Sequence, residues 1–223
     1  MGIGTASALV GDFVRMTRDR TTTRLSVFPL PGALLFPRMH LPLHIFEERY
    51  KALMSDAMAR DRRIGMVQPR GEGNPPPLFQ IGCVGKIAQF EMLDDGRYNL
   101  VLEGLSLFRI VRELDVTTPF RQVEAELMPT AGEQEILSLS GRAALEMESR
   151  RFADIQGYAV DWEAVARLDD ESLVNGVAQI APFDVAAKQA LLESQSLEDR
   201  AELIVQLMQF FGRHDGEDSV TLQ

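Results

Sequence analysis

The sequence predicts an α+β fold: a β-rich first half that curls into a small, partly closed barrel with one inserted helix, then a second half of packed helices. Three observations predict it. Prolines punctuate short apolar runs between Leu25 and Tyr50, strand-like alternation with turn dipeptides continues to about Met128, and from about Glu133 the apolar residues recur at helical spacing.

Residues 1–23 form an extension that ends in the polar run TRDRTTTR and has no packing pattern of its own. In the stretch LSVFPLPGALLFPRMHLPLHIFEERY that follows, Pro29, Pro31, Pro37 and Pro42 each fix φ and remove a backbone donor. The runs between them are therefore short edge strands and rigid turns. From Phe46 the apolar positions Phe46, Tyr50, Leu53, Met54 and Ala57 take helical spacing. Glu47 and Glu48 sit at the end where the helix dipole favours negative charge, which predicts one helix over Phe46–Arg60.

Arg70–Pro77, with two glycines and three consecutive prolines, is a surface loop. Ile81–Leu93 and Arg97–Leu105 make a hairpin across Asp95-Gly96, a dipeptide that tolerates positive φ, with Tyr98, Leu100 and Leu102 alternating on one face. Phe108–Leu114 and Phe120–Met128 add strands, the second alternating Val123, Ala125 and Leu127 against Gln122, Glu124 and Glu126. Short strands at this spacing suggest a small barrel over residues 24–130.

A helical bundle is expected over residues 131–212. Glu133–Phe152 places Ile136, Leu139, Ala143 and Met147 near helical spacing, and a shorter segment containing Trp162 follows. Asp169-Asp170-Glu171 opens a helix with Leu173, Val174, Val177 and Ile180 on one face, stopping at Pro182. Ser196 and Asp199 fit a capping box for the last helix, where Leu197, Ala201, Ile204, Met208 and Phe211 line a packing face. The polar residues 213–223 are expected to fray.

Composition narrows function. A 45% hydrophobic content over 223 residues fills a core without staples. One cysteine, Cys83, excludes an intramolecular disulfide and fits a reducing cytosol; set in an apolar run, it reads as a buried small hydrophobe. A net charge of −10 disfavours phosphate backbones and anionic lipid, so nucleic acid is a poor default partner. The N-terminus lacks a basic region ahead of its apolar stretch, and no uncharged run approaches membrane-spanning length. A soluble, cytoplasmic protein is expected.

Several motif blocks carry a family resemblance. Phe28-Pro29-Leu30-Pro31-Gly32, Leu35-Phe36-Pro37, Leu41-Pro42-Leu43 and Phe46-Glu47-Glu48-Arg49-Tyr50 are followed by Ile64–Gln68, Ile81–Ile87, Asp95-Gly96 and Leu102-Glu103-Gly104. In this order and spacing they resemble the N-terminal, substrate-binding domain of the Lon proteases. The resemblance implies a PUA-like barrel followed by helices, covering only the non-catalytic end of that family. The Lon ATPase and Ser-Lys protease modules need several hundred further residues, so a free-standing, non-enzymatic protein is expected.

The residues themselves offer little chemistry. Gly85-Lys86 is followed by Ile87 and preceded by Gln80 where a P-loop needs a hydroxyl and a glycine. His40 and His44 share one side of an extended segment near Glu47, but Pro42 between them breaks any HExxH helix. Packing of His44 at the strand-to-helix junction, with a hydrogen bond to a backbone group, is the preferred reading. The pairs Glu47-Glu48, Asp94-Asp95 and Asp169-Asp170 read as helix starts or turns, and Gly104-Leu105-Ser106 lacks the closing glycine of a nucleophile elbow. No catalytic residue, metal or cofactor is expected.

That leaves binding. Leu34, Leu35, Phe36 and Met39 around rigid turns, with Phe90 and Met92 beside the hairpin, are the candidate polypeptide-binding residues, although for each one alone packing inside the barrel and its contact with the bundle is the preferred reading. The resemblance implies unfolded or partly folded polypeptides as partners, in an adaptor, client-holding or protease-modulating role, with a protease as a further partner. The alternative is RNA binding through the PUA-like barrel; an exposed patch would serve equally for self-association.

Overall fold

A computed structural model of the chain describes residues 22–129 and 134–217. Residues 1–21 of the expected extension, the expected helix start at Glu133 and the end of the polar tail, 218–223, lie outside the described residues, and the extension's last two residues, Thr22 and Thr23, begin the first strand. The first half holds β1 (Thr22–Pro29), β2 (His40–Ile45), α1 (Glu48–Met58), β3 (Arg63–Val67), β4 (Ile81–Met92), β5 (Tyr98–Glu113) and β6 (Gln122–Leu127). These strands form one mixed sheet of six in the order β2-β5-β4-β3-β1-β6, and β5 also pairs with β6. Only β1 and β3 pair in parallel, an arrangement that needs a crossover, which β2 and α1 supply.

The prolines act as expected. β1 ends at Pro29, and Pro42 sits within β2, the edge strand that pairs only with β5. Gly96 closes the β4–β5 hairpin with a φ of 76°. Phe108–Leu114 is not a separate strand, because β5 runs unbroken from Tyr98 to Glu113. Its register against β4 skips Leu105, so the strand bends there instead of ending. α1 buries Tyr50, Leu53, Met54 and Ala57, while Phe46, expected on its apolar face, precedes the helix and is exposed.

The second half holds α2 (Leu139–Gln156), α3 (Trp162–Val165), α4 (Asp170–Ile180), α5 (Val185–Glu193) and α6 (Leu197–Glu217). Side chains of Ser138, Asp169 and Asp184 accept from the amides of Gly141, Ser172 and Ala187, capping α2, α4 and α5. α6 follows its apolar spacing closely, burying Leu197, Ala201, Ile204 and Met208. At its start the Asp199 amide donates to Ser196 Oγ at 3.1 Å, but the Asp199 carboxylate accepts from the Ser196 hydroxyl rather than from a backbone amide. The helix continues to Glu217, past the expected start of the frayed tail.

Two helix faces differ from expectation. α2 begins at its Ser138 cap, which leaves Ile136, Leu139 and Met147 exposed, and it buries Leu145, Glu148, Ser149 and Phe152 instead. α4 buries Asn175 and Ala178 and leaves Ile180 exposed. In α4 the expected Leu173 and Val174 are buried and only Ile180 falls outside the face, whereas in α2 polar residues occupy the buried stripe and apolar spacing points to the wrong side. α5 has no counterpart in the sequence reading for the same reason, since Lys188 and Gln189 are buried beside Leu191 and Leu192.

The segment between β1 and β2 ties the two halves together. Leu34 and Phe36 pack into the helical core with Leu145, Val174 and Ile204, whereas Leu35 between them packs under the sheet with Leu53, Ile64 and Leu102. A polar network flanks this seam. Gln68 accepts from the Gly32 amide at 2.9 Å and donates to Gln189 at 3.0 Å, and Gln189 donates to the Ile81 carbonyl at 3.1 Å. Lys188 Nζ donates to the carbonyls of Gly32 and Gln179, with burial alone pulling its pKa below the ordinary value.

Candidate functional site

The six candidate residues separate into two groups. Leu34, Leu35 and Phe36 are at most 2% exposed and Met39 is partly buried against the helical core, so their apolar character is spent inside the molecule. Their burial removes these four as binding residues and agrees with the packing reading, in which they fill the sheet core and its contact with the helices. Phe90 and Met92 remain outside, 39% and 68% exposed, on the far end of the β4–β5 hairpin.

The hairpin presents two different faces there. Phe90 stacks on Tyr98 with ring centroids 5.0 Å apart, and Met92 lies opposite Tyr98 in the ladder. These side chains extend the apolar face that continues inward through Leu100 and Ile45 to the core under α1. The opposite face is polar. Asn99 accepts from His44 Nδ1 at 2.7 Å and donates to Glu91 at 3.4 Å, while Arg97 donates to His44 Nε2 at 3.2 Å and pairs with Asp95. Both ring nitrogens of His44 are thus engaged by side chains, in the tautomer with its proton on Nδ1, rather than by the backbone group expected. Hydrogen bonds from Arg97 hold the Asp95 carboxyl below its ordinary value.

The main chain of the hairpin matters as much. The Leu93 amide donates to the Arg97 carbonyl at 2.8 Å, so along this antiparallel ladder Leu93, Glu91 and Gln89 turn toward β5. Phe90 and Met92 then turn their N–H and C=O groups away from β5. β3 occupies that side only as far as Arg62–Arg63, where the Arg62 carbonyl accepts from the Ile87 amide at 2.9 Å. Beyond Ile87 no described strand pairs with β4 on that side.

A second apolar surface lies on the helical half, where a groove of about 590 Å³ runs between α2 and α4. Tyr158, Val160, Trp162, Leu168 and Ile180 line it. Apolar spacing, which puts Ile180 in the core, hides this groove in the sequence; the apolar residues Tyr158, Val160 and Trp162 are its sequence signal, and in the structure Arg150 lies 4.4 Å above the Trp162 ring. A third cavity, about 600 Å³, sits at the seam between sheet and helices. There Arg200 lies 4.6 Å over Phe36 and donates to Asn175 Oδ1 at 2.8 Å, and burial pulls its pKa below the ordinary value against Glu135 and Glu171. Cys83 is fully buried, and burial pushes its thiol well above the ordinary range. Among the described residues no group of three or more His, Cys, Asp or Glu side chains is placed to hold a metal, and no helix is long and apolar enough to cross a membrane.

The family described as ATP-dependent protease La (LON) substrate-binding domain matches residues 24–209. The chain belongs to this family. Among the Lon family's curated members, it is 27% identical over 187 residues to Lon protease 2 of Herpetosiphon aurantiacus, covering 81% of this chain and 23% of that protein. It is 27% identical over 192 residues to Lon protease of Escherichia coli K12, covering 83% of this chain and 24% of that protein. The chain therefore spans about a quarter of the length of these relatives. The crystallised Lon N-terminal domain protein from Xanthomonas campestris shares the fold, with a TM-score of 0.62 at 20% identity over 82% of this chain and 98% of that one. So does the N-terminal domain of Mycobacterium avium complex Lon protease, with a TM-score of 0.60 at 18% identity over 84% and 98%.

Proposed function

We propose that this chain is a non-catalytic polypeptide-binding module that engages unfolded or partly folded segments through the distal β4–β5 hairpin, in an adaptor, client-holding or protease-modulating role. Membership of the Lon substrate-binding domain family supports polypeptide as the ligand class. The observation that carries the reading is the exposure of Phe90 and Met92 on a face continuous with the sheet core, beside main chain that has no described partner. Large, adaptable apolar side chains next to free hydrogen-bonding groups suit a ligand that is apolar and extended. The sheet beneath it we read as a partly closed barrel, because β5 pairs with both β4 and β6.

Fluorescence anisotropy with a labelled, permanently unfolded polypeptide tests the reading, with labelled RNA in parallel and both repeated at high salt. Salt-resistant binding of polypeptide, weakened about tenfold by the double variant Phe90→Ser/Met92→Ser, is expected from losing part of two apolar contacts. Salt-sensitive binding of RNA alone would sink the proposal.

A further inference from the structure

Two open edges of this sheet are treated differently. In β2 the residues that turn away from β5 are His40, Pro42 and His44, because Gly104 exchanges main-chain hydrogen bonds with Arg38 and Met39, which fixes the alternation along β5. Pro42 therefore deletes the donor at the middle of the outer edge, a common way of blocking strand addition. The distal edge of β4 carries no proline. From Ala88 to Met92 it is exposed and extended, with Phe90 and Met92 offering both N–H and C=O outward.

The lane beside that edge has a direction and a charge. β3 enters it at Arg63 opposite Lys86 and runs away from the hairpin tip. A strand added antiparallel to β4 would run from Met92 toward Ala88 and end against the point where β3 begins. That end is rimmed by Arg62, Arg63 and Lys86 in a chain whose net charge is −10. Asp61 pairs with Arg63, but among the described residues neither Arg62 nor Lys86 has an ion-pair partner. At the other end the hairpin turn holds Asp94 and Asp95.

We infer that the β4 edge from Ala88 to Met92 binds its polypeptide by strand addition, antiparallel to β4, and selects extended segments whose C-terminal end carries carboxylates. This rests on the polypeptide-binding reading above and gives it a mode. Phe90 and Met92 supply main-chain hydrogen bonds as well as apolar contact, and Arg62 and Lys86 meet the acidic end of the segment.

The test uses the whole chain and a fluorescein-labelled decapeptide of alternating valine and serine with two aspartates at its C-terminal end. Three changes are compared by anisotropy: N-methylation of the central peptide amides, transfer of the aspartates to the N-terminal end, and Phe90→Pro in the protein. Each is expected to weaken binding about tenfold, since each removes one or two hydrogen bonds or an ion pair. Phe90→Pro removes a donor that the sheet does not use, and circular dichroism checks its fold; should it misfold, the two peptide changes decide alone. Unchanged affinity for the N-methylated peptide overturns strand addition while unfolded polypeptide still binds the protein. Failure to bind either peptide or unfolded polypeptide overturns both this inference and the functional reading.

Discussion

Replacing Gly104 by alanine tests the seam on which the whole arrangement depends. A Cβ on Gly104 would lie 1.9 Å from the Phe36 carbonyl oxygen, 2.7 Å from its carbon and 3.2 Å from the Pro37 nitrogen. All three are backbone atoms, so no rotamer change relieves the clash, and the segment Phe36–Met39 must retreat by roughly 1.5 Å to reach ordinary contact. That segment is held to Gly104 by two hydrogen bonds, Arg38 N–H to Gly104 O at 2.8 Å and Gly104 N–H to Met39 O at 2.9 Å. It also carries Phe36, fully buried in the helical core.

Losing two hydrogen bonds costs about 1 kcal/mol each, and forcing extra volume into a packed site costs about 1–3 kcal/mol. Gly104→Ala should therefore destabilise the protein by about 3–5 kcal/mol, a large share of the stability of a typical domain. Urea denaturation monitored at the single tryptophan, Trp162, and by far-UV circular dichroism measures it as a fall in midpoint at constant slope. Gly176→Ala is the control. It lies inside α4 with nothing within 4 Å of the new methyl, and it should stabilise by about 0.5–1 kcal/mol. A loss below about 1 kcal/mol for Gly104→Ala would refute the claim that this contact fixes the seam.

Other outcomes follow from single sites. Gln189→Ala strips the Ile81 carbonyl and Gln68 of a buried partner and should cost about 1–3 kcal/mol in thermal or chemical denaturation, whereas a loss within 0.5 kcal/mol would discount the network. The double variant Phe90→Ser/Met92→Ser should leave stability within about 0.5 kcal/mol of the parent, since both side chains are substantially exposed, so any binding loss is local. Cys83 should resist iodoacetamide in the native protein and react at the rate of unfolding, which a denaturant series of labelling rates would show. Its thiol pKa is raised on folding, so the native chain holds a proton that the unfolded chain loses above the ordinary value of 9.0. The stability this contributes is intact below that pH and declines as pH rises toward the folded value; the decline should be absent in Cys83→Ala.

What the sequence reveals depends on whether a residue's environment is local. Pro42 on an edge strand, the Asp95-Gly96 turn and the Leu197–Met208 stripe of α6 each answer to neighbours within a few residues, and each takes its expected conformation. Leu34 and Phe36 do not. They are covered by helices more than a hundred positions later in the chain, so the run, which the sequence leaves open between binding surface and core, is the joint between two cores. The same distance effect hides α5 and inverts the face of α2, where the buried Ser149 donates to Met208 of α6 while Glu148 is paired within its own helix by Arg151.

The open edge of β4 is a further case, since its availability follows from where β3 begins rather than from any residue of β4. β3 begins only at Arg63, opposite Lys86, leaving Phe90 and Met92 without a neighbour on that side, and Arg62 with Lys86 charges the end of the lane left open. One boundary in the chain therefore sets both the length of segment that can be added and the charge it should carry. Moving that boundary perturbs the site without altering any side chain on β4 itself. Asp61→Pro, two residues before β3, tests this by altering the backbone that delivers Arg62 and Arg63 to the lane. It should weaken binding of the acidic decapeptide about as much as Phe90→Pro does, while a retained affinity would mean that β3 does not define the site.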